Sequence, residues 1–427
     1  MTYRAPLRDI LFSLDDVVAI GGLKAAGAFP DLSADLTEQI LAEAARLAED
    51  IFAPADRTGD VQGCTLQDGA VKTPDGFCGA YRAFAEGGWQ GVSAPTEHGG
   101  MGLPRAVAAA VGEMINGANM ALSLAPLLTM SAIEALSAHG SDEQKRLYLP
   151  KLVSGQWSGA MNLTEPQAGT DLGAVTMRAE RAEDGSWRLS GQKIFITWGE
   201  HDCAENIVHL VLARTPDAPA GSRGLSLFLA PKFLPDADGN PGARNALSCI
   251  GLEEKLGIHG SPTCVMDYRG ATAWLVGAEN RGLPQMFTMM NAARLQVGVQ
   301  GVGVGVRAYQ RALAYAQERR QGRGPDGAAP APIVQHPDVR RMLTSMKAKL
   351  EAARHVCLAT AVAADYAAYD ETEEDRAYAA RREQLLSMAA PASSRRRARR
   401  SIIAMRASRR STKARTASRR WTLLAGS

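Results

Sequence analysis

The sequence predicts a mainly α protein with a small antiparallel β domain in its middle. Three observations carry that reading. Apolar residues recur at helical spacing after Asp35, and they do so again over a long stretch after Leu283. Between residues 174 and 276 they come instead as short β-branched or aromatic runs parted by Gly, Pro, Asp and Ser, as strands and turns require. With 427 residues there is room for two or three domains, and 46% apolar with 22% charged residues places the chain among soluble globular proteins.

In chain order, residues 1–30 show only a mixed apolar pattern. Asp35, with Glu38 three residues on, reads as a helix cap, and Ile40, Ala44, Leu47 and Ile51 then form one apolar face until Pro54. Residues 59–79 are rich in turn formers, and a short helix is expected within Pro74–Trp89, ending at Gly87-Gly88. A Gly- and Pro-rich loop follows from Pro95 to Pro104; it lacks the Lys-Ser/Thr pair that a phosphate loop needs. Met114 to Ile133 runs twenty residues without a charge, the length of a membrane span. Its Asn116, Asn119, Ser123, Pro126 and Thr129 argue instead for a buried helix pair, so no membrane is expected.

Residues 158–173 read as a short strand running into a tight polar loop, because Pro166 and Gly169 bar a strand past Thr164. Strand-like runs then lie at Trp187–Ile196, Ile207–Arg214, Gly224–Ala230 and Thr263–Tyr268. Beyond Leu283, the spacing of Val302, Val306, Tyr309, Leu313 and Ala316, and then of Val339, Met342, Met346, Leu350, Ala353 and Cys357, predicts two long antiparallel helices. A third, Ala-rich helix is expected from about Leu358 to Met388. Gly301, Gly303 and Gly305 fall inside the first of these stripes without the preceding strand of a dinucleotide fold, so close helix packing is expected there and no NAD.

The six cysteines form no CxxC pair, and the seven histidines are scattered, so neither a disulfide framework nor a metal site is expected. The thiols read as reduced, in a cytoplasm, and no secretory segment opens the chain. The net charge of +3 hides two unlike pieces: residues 391–427 carry twelve Lys/Arg and no acid, which leaves the preceding body at −9.

The run Thr164-Glu165-Pro166-x-Ala168-Gly169-Thr170-Asp171 resembles the flavin-binding signature of the acyl-CoA dehydrogenase family, with Thr170 where a Ser is usual. Gly191 to Thr197 resembles that family's next flavin contact. Pro95–Pro104, Glu143–Gly155, Glu253–Gly257, Gly277–Gly282 and Glu318-Arg319 resemble further family segments in the same order. This resemblance implies an N-terminal helical domain (1–157), a middle β-barrel domain (158–280), a C-terminal helical bundle that is incomplete (281–390) and a basic, disordered tail (391–427). It implies FAD as cofactor, held by Met161, Leu163, Thr164, Thr170, Phe195 and Thr197, with Arg319 reaching the flavin pyrophosphate of a neighbouring subunit. Thr170 and Arg294 are expected near an acyl-CoA substrate. Glu165 and Asp171 are expected to fix the loop backbone rather than to move protons.

The implied reaction is α,β-dehydrogenation of an acyl-CoA, with electrons passed to an electron-transferring flavoprotein by a homodimer or homotetramer. The segment with Gly59-Asp60, Gly63-Cys64 and Thr73-Pro74-x-Gly76-Phe77 resembles the branch that acts on 3-(methylthio)propanoyl-CoA. One departure matters. The family's Gly-Gly-x-Gly-Phe and Tyr-Glu-Gly strings, the second holding the usual catalytic Glu, do not occur, and its alternative position before Arg294 is Ala293. No catalytic base is therefore expected in this chain. After about Met388 the composition resembles a GC-rich gene read out of frame. A flavoprotein of the same fold that binds nucleic acid through the tail is the alternative function.

Overall fold

The computed structural model describes residues 3–384 apart from 328, 370–372, 374, 375 and 378. The basic tail and the expected break near Met388 lie outside the described residues.

Short helices α1 (Leu7–Phe12) and α2 (Gly22–Ala25) precede α3 (Ala34–Arg46) and α4 (Ala53–Gln62). Ser33, not Asp35, caps α3: its hydroxyl accepts from the Leu36 amide at 3.2 Å, and Asp35 falls in the first turn. Pro54 does not end this helical run. Residues 47–52 form a wider π turn that leads into α4, where Pro54 stands in the first turn and needs no amide hydrogen bond. The π turn also rotates the apolar face, so Phe52 is buried and Ile51 is exposed, contrary to the even stripe expected.

The hairpin β1 (Thr65–Gln67) and β2 (Ala70–Lys72) leads to α5 (Phe77–Glu86) and to the long pair α6 (Arg105–Ala118) and α7 (Met120–His139). By length and composition α7 could cross a membrane, but 72% of its apolar window is buried inside the protein. Asn119 caps it through Leu122, and Ser141 with Gln144 forms a capping box for α8 (Asp142–Val153).

The middle of the chain is a barrel. Its strands are β3 (Trp157–Asn162), β4 (Arg178–Arg181), β5 (Trp187–Thr197), β6 (Asn206–Arg214), β7 (Leu225–Pro231), β10 (Leu247–Leu252) and β11 (Thr263–Val276). The hairpin β8 (Phe233–Pro235) and β9 (Pro241–Arg244) stands apart. The fourteen-residue β11 pairs with β5 along its first part and with β7 at Trp274–Val276. Since β5 pairs with β4, β4 touches β6 at Arg178–Arg214 and β6 pairs with β7, the ring closes. The expected all-antiparallel pattern is corrected at β6, which runs parallel to both β3 and β4.

The chain then forms α9 (Gly282–Glu318) and α10 (Pro337–Tyr369). Leu358 starts no separate helix; it lies within α10, and residues 379–384 are helical beyond it. The glycines of α9 serve packing. A Cβ on Gly303 would stand 2.5 Å from the Glu113 carbonyl of α6, so only glycine lets these helices approach so closely. Across the same seam, buried Arg354 of α10 donates to both carboxylate oxygens of Glu113, at 2.6 and 2.9 Å.

Two apolar cores result, one among the helices and one inside the barrel, and Met161 packs against both. Between them α7 lies on β3. A Cβ on Gly159 would meet Ala132 at 2.5 Å, and the Gly159 amide donates to Thr129 Oγ1 at 3.0 Å. The thiols are not all reduced: Cys78 and Cys203, 125 residues apart in sequence, are bonded.

Candidate active site

The loop that leaves β3 is pinned to β5 from beneath. Lys193 of β5 points inward and donates to the Leu163 carbonyl at 2.9 Å and to Glu165 Oε1 at 2.8 Å, with both side chains buried. The second oxygen of Glu165 accepts from the Thr176 amide and hydroxyl, at 2.8 and 2.9 Å, and from Gln167 at 2.6 Å; the Met177 amide reaches Oε1 at 3.1 Å. Burial pushes the Glu165 carboxyl up, yet Lys193 and these backbone donors outweigh it and hold the group below its ordinary value. Burial lowers Lys193 to about 8, against the pull of Glu165. A carboxylate with every lone pair engaged is an anchor and is not free to take a substrate proton.

The loop continues the sheet and then folds back. The Ile194 amide donates to the Thr164 carbonyl at 2.9 Å, which sets Thr164 beside β5. Asp171 Oδ1 accepts from the Gly173 amide at 2.9 Å and caps the turn 172–174. Arg214 closes the fold-back through the carbonyls of Gly173 and Val175, each at 2.6 Å. Lys193 and Arg214 were not expected in these roles; the sequence signal was a lysine in the same inward register of β5 as Trp187 and Leu189.

Phe195 is the feature that gives this surface its shape. The pairing of β5 with β11 slips between Lys193 and Ile196, and in that bulge Phe195 takes a left-handed backbone (φ 59°) with 57% of its surface exposed. Trp198 is also left-handed (φ 52°), and its buried indole donates to the Ala121 carbonyl at 3.2 Å. Aromatic residues in this region cost about 1–3 kcal/mol each, a strain that clusters at ligand sites. The result is a ring turned outward, with Thr197 two residues on along the strand.

These residues fit a flat, polar-edged cofactor such as FAD. Among the described residues the hydroxyls of Thr164, Thr170 and Thr197 make no protein hydrogen bond. A Cβ on Gly169 would meet nothing within 4 Å, so the protein itself leaves this loop backbone open to close approach. Leu163 is buried and Met161 half-buried beneath the same edge. The structure thus sets Met161 on β3, Leu163, Thr164 and Thr170 on the loop that follows it, and Phe195 and Thr197 on β5, to which that loop is pinned.

Arg294 and Arg319 stand elsewhere. Arg294 donates to Asn291 at 2.7 Å beside a cleft of about 500 Å³ lined by Met130, Glu134, Asn291, Leu295, Asp365 and Glu383. Arg319 ends α9, 25 residues further on and so roughly 37 Å along the helix, and donates to Gln321 at 3.2 Å. Within one chain it cannot share the site of Arg294.

The carboxylates of the cleft are largely engaged. Glu134 takes a bidentate pair from Arg105 Nη2 at 3.0 and 3.1 Å. Asp365 accepts from the Arg105 and Ala106 amides at 2.9 and 3.2 Å, and so caps α6 from α10. Burial raises Asp365 to about 7, against the pull of those amides and of Arg105. A raised carboxyl means that the fold binds this proton more tightly than the unfolded chain does. Its contribution to stability is therefore full below pH ~4 and is lost as pH rises to ~7. Thermal unfolding followed between pH 5 and 7.5 is expected to show a fall in midpoint that Asp365→Asn reduces; identical profiles would contradict the assignment.

The family models add to this geometry. The acyl-CoA dehydrogenase N-terminal domain matches residues 35–156, the middle domain 160–270 and the C-terminal domain 280–381.

The chain belongs to the acyl-CoA dehydrogenase family.

It is 51% identical over 381 residues to the 3-methylmercaptopropionyl-CoA dehydrogenase of Ruegeria pomeroyi, covering 89% of this chain and 65% of that protein. It is 38% identical over 385 residues to a broad-specificity linear acyl-CoA dehydrogenase of Mycobacterium tuberculosis, with 86% and 62% covered. The chain thus spans less than two thirds of the length of either relative. Among solved structures, a glutaryl-coenzyme A dehydrogenase with glutaryl-CoA superposes with a TM-score of 0.66 at 25% identity, over 87% of this chain and 86% of that one. The chain itself sets a β domain between helical regions. The nucleic-acid reading gains no support from these relatives.

Proposed function

We propose that this chain carries the flavin and substrate sites of an FAD-dependent acyl-CoA dehydrogenase whose substrate is a short acyl thioester of the 3-methylmercaptopropionyl-CoA type. The observation that carries the proposal is the outward Phe195 beside Thr197, on a strand whose buried lysine also anchors the Leu163–Asp171 loop. The similarity to the Ruegeria protein supports the substrate class.

When bound, FAD supplies the acceptor for the hydride that leaves the β-carbon. The chain's own residues hold the cofactor and orient the thioester. Thr164, Thr170 and Thr197 offer hydroxyls along the edge of the loop and strand, and the Phe195 ring offers a flat apolar contact. The Lys193–Glu165 pair keeps that edge in register without spending a donor at the surface. Removal of the α-proton builds negative charge on the thioester oxygen, which a hydroxyl such as that of Thr170 stabilises most in a site closed to water. Arg294, held by Asn291, places a cation beside the cleft where an acyl thioester would enter.

Arg319 belongs to the same proposal in a different subunit. The resemblance of Glu318-Arg319 to the family's segment supports a homo-oligomer, dimer or tetramer, in which Arg319 would hold the pyrophosphate of a neighbour's flavin. An electron-transferring flavoprotein is the proposed acceptor.

The test is anaerobic titration of the FAD-loaded chain with 3-methylmercaptopropionyl-CoA, followed by flavin absorbance. A saturable perturbation that free coenzyme A alone does not reproduce is expected. An unchanged spectrum at millimolar thioester would contradict the substrate assignment.

A further inference from the structure

We propose that Cys78 and Cys203 form a reversible thiol–disulfide pair, closed by a peroxide, that ties helix α5 to the segment leaving strand β5. Cys78 is the second residue of α5, and Cys203 lies in the turn five residues after Trp198. Their sulfurs are bonded in the structure, and both residues are half-buried and so within reach of a small oxidant. Asp202 sits beside them with Oδ1 3.3 Å from the Cys78 sulfur, itself held by the Thr73 hydroxyl and amide at 2.7 and 3.1 Å.

Of the other four cysteines, Cys249 and Cys264 also face one another, and the Cys264 hydrogen bond holds the Cys249 thiol below its ordinary value, but both are buried out of reach of an oxidant in solution. Cys249, Cys264 and Cys357 are buried, and burial pushes the Cys64 and Cys357 thiols up to about 12. A protonated, buried thiol is a poor nucleophile.

The two members of the pair are not equivalent. Cys78 stands in the first turn of a ten-residue helix, where the free amides and the helix dipole favour a thiolate; Cys203 has no such support. Cys78 is therefore the attacking sulfur. Its thiolate attacks one oxygen of hydrogen peroxide, the O–O bond breaks, and hydroxide leaves, giving a sulfenic acid. The Cys203 sulfur then attacks that sulfur, the S–O bond breaks, and the hydroxyl leaves as water with the thiol proton. In sum, two thiols and one peroxide give one disulfide and two waters. Asp202 works against the first step, because a carboxylate at that distance disfavours the thiolate. It slows both closure and reopening.

The link has a structural consequence. Phe77, next to Cys78, is fully buried and stacks on Trp198, with centroids 6.5 Å apart and planes at 10°. A Cβ on Gly59 or Gly260 would run into the Phe77 ring, at 2.5 and 2.6 Å. The disulfide closes this junction of helical layer and barrel one residue away from its aromatic wedge. Closing a loop of 125 residues restricts the unfolded chain most strongly.

The test uses the full chain. After peroxide treatment it is unfolded, alkylated and mapped as peptides, with a dithiothreitol-treated sample alongside. One linkage, Cys78 to Cys203, and four alkylated cysteines are expected, rising to six after reduction. Six free thiols after peroxide, or linkage among other cysteines, would overturn the proposal. Cys203→Ser is expected to trap a dimedone adduct on Cys78, and Cys78→Ser to give none on Cys203; the reverse pattern would overturn the assignment of the attacking sulfur. The unfolding midpoint of the oxidised wild-type chain is expected several degrees above that of the reduced chain, and equal midpoints would show that the link ties nothing together. None of these readouts depends on the proposed dehydrogenase activity.

Discussion

Given an acyl-CoA, the FAD-loaded 427-residue chain is expected to dehydrogenate it roughly 10²–10⁴-fold more slowly than a relative that carries the family's carboxylate base. The α-proton of a thioester is barely acidic, and without a placed base it must leave to water. Neither the Tyr-Glu-Gly string nor a Glu before Arg294 occurs, and Ala293 is buried in α9. The cleft's own carboxylates do not replace it. Glu134 is committed to Arg105, and Asp365 to the amides that start α6. Glu383, half-buried and raised by burial, is the remaining carboxylate that lines the cleft among the described residues. Stopped-flow measurement of flavin bleaching checks this. An ordinary family rate would refute the expectation, and its loss in Glu383→Gln would then name the base.

Lys193→Met is expected to lower stability by about 3–5 kcal/mol, because it strands the Glu165 carboxylate in the protein without its cation. The cost comes from the unpaired charge and not from any large net worth of the pair. Lys193→Met combined with Glu165→Leu should therefore recover much of the loss, apart from the amides of Thr176 and Met177 left without an acceptor. Urea unfolding of the single and double variants measures both values. A single-variant cost below about 1 kcal/mol would mean that the loop is held by other contacts.

The long helices were legible because their signals are local and repeated. The stripe from Val302 to Ala316 falls in α9, and the glycines set in it serve close packing, as the helical reading required. The polar loop after β3 was legible from Pro166 and Gly169. Other features depend on partners distant in sequence. Nothing near β6 announces that it runs parallel to β3 and β4, since its own residues would suit either pairing. Cys78 and Cys203 meet only because α5 docks on the turn after β5. Ser33 and Asp35 are both good caps, and only the backbone angles of the folded chain decide between them. The π turn before Pro54 left no mark in composition, which is why Ile51 was placed on the wrong face.

The site divided in the same way. Phe195 and Thr197 could be named from motif order, but the left-handed bulge that turns the ring outward could not, because an aromatic residue gives no warning of positive φ. Lys193 reads in sequence as an oddity inside a strand. Its meaning appears only when Glu165, 28 residues earlier, is folded beneath it.

The central claim, that β5 and the loop after β3 hold the flavin, is tested most directly by FAD titration of the purified full chain and of Thr197→Val. Loss of one hydroxyl partner at a ligand costs about 1–3 kcal/mol, so the variant is expected to bind FAD about 5–150-fold more weakly with unchanged folding. Equal affinity in the two proteins would contradict the claim.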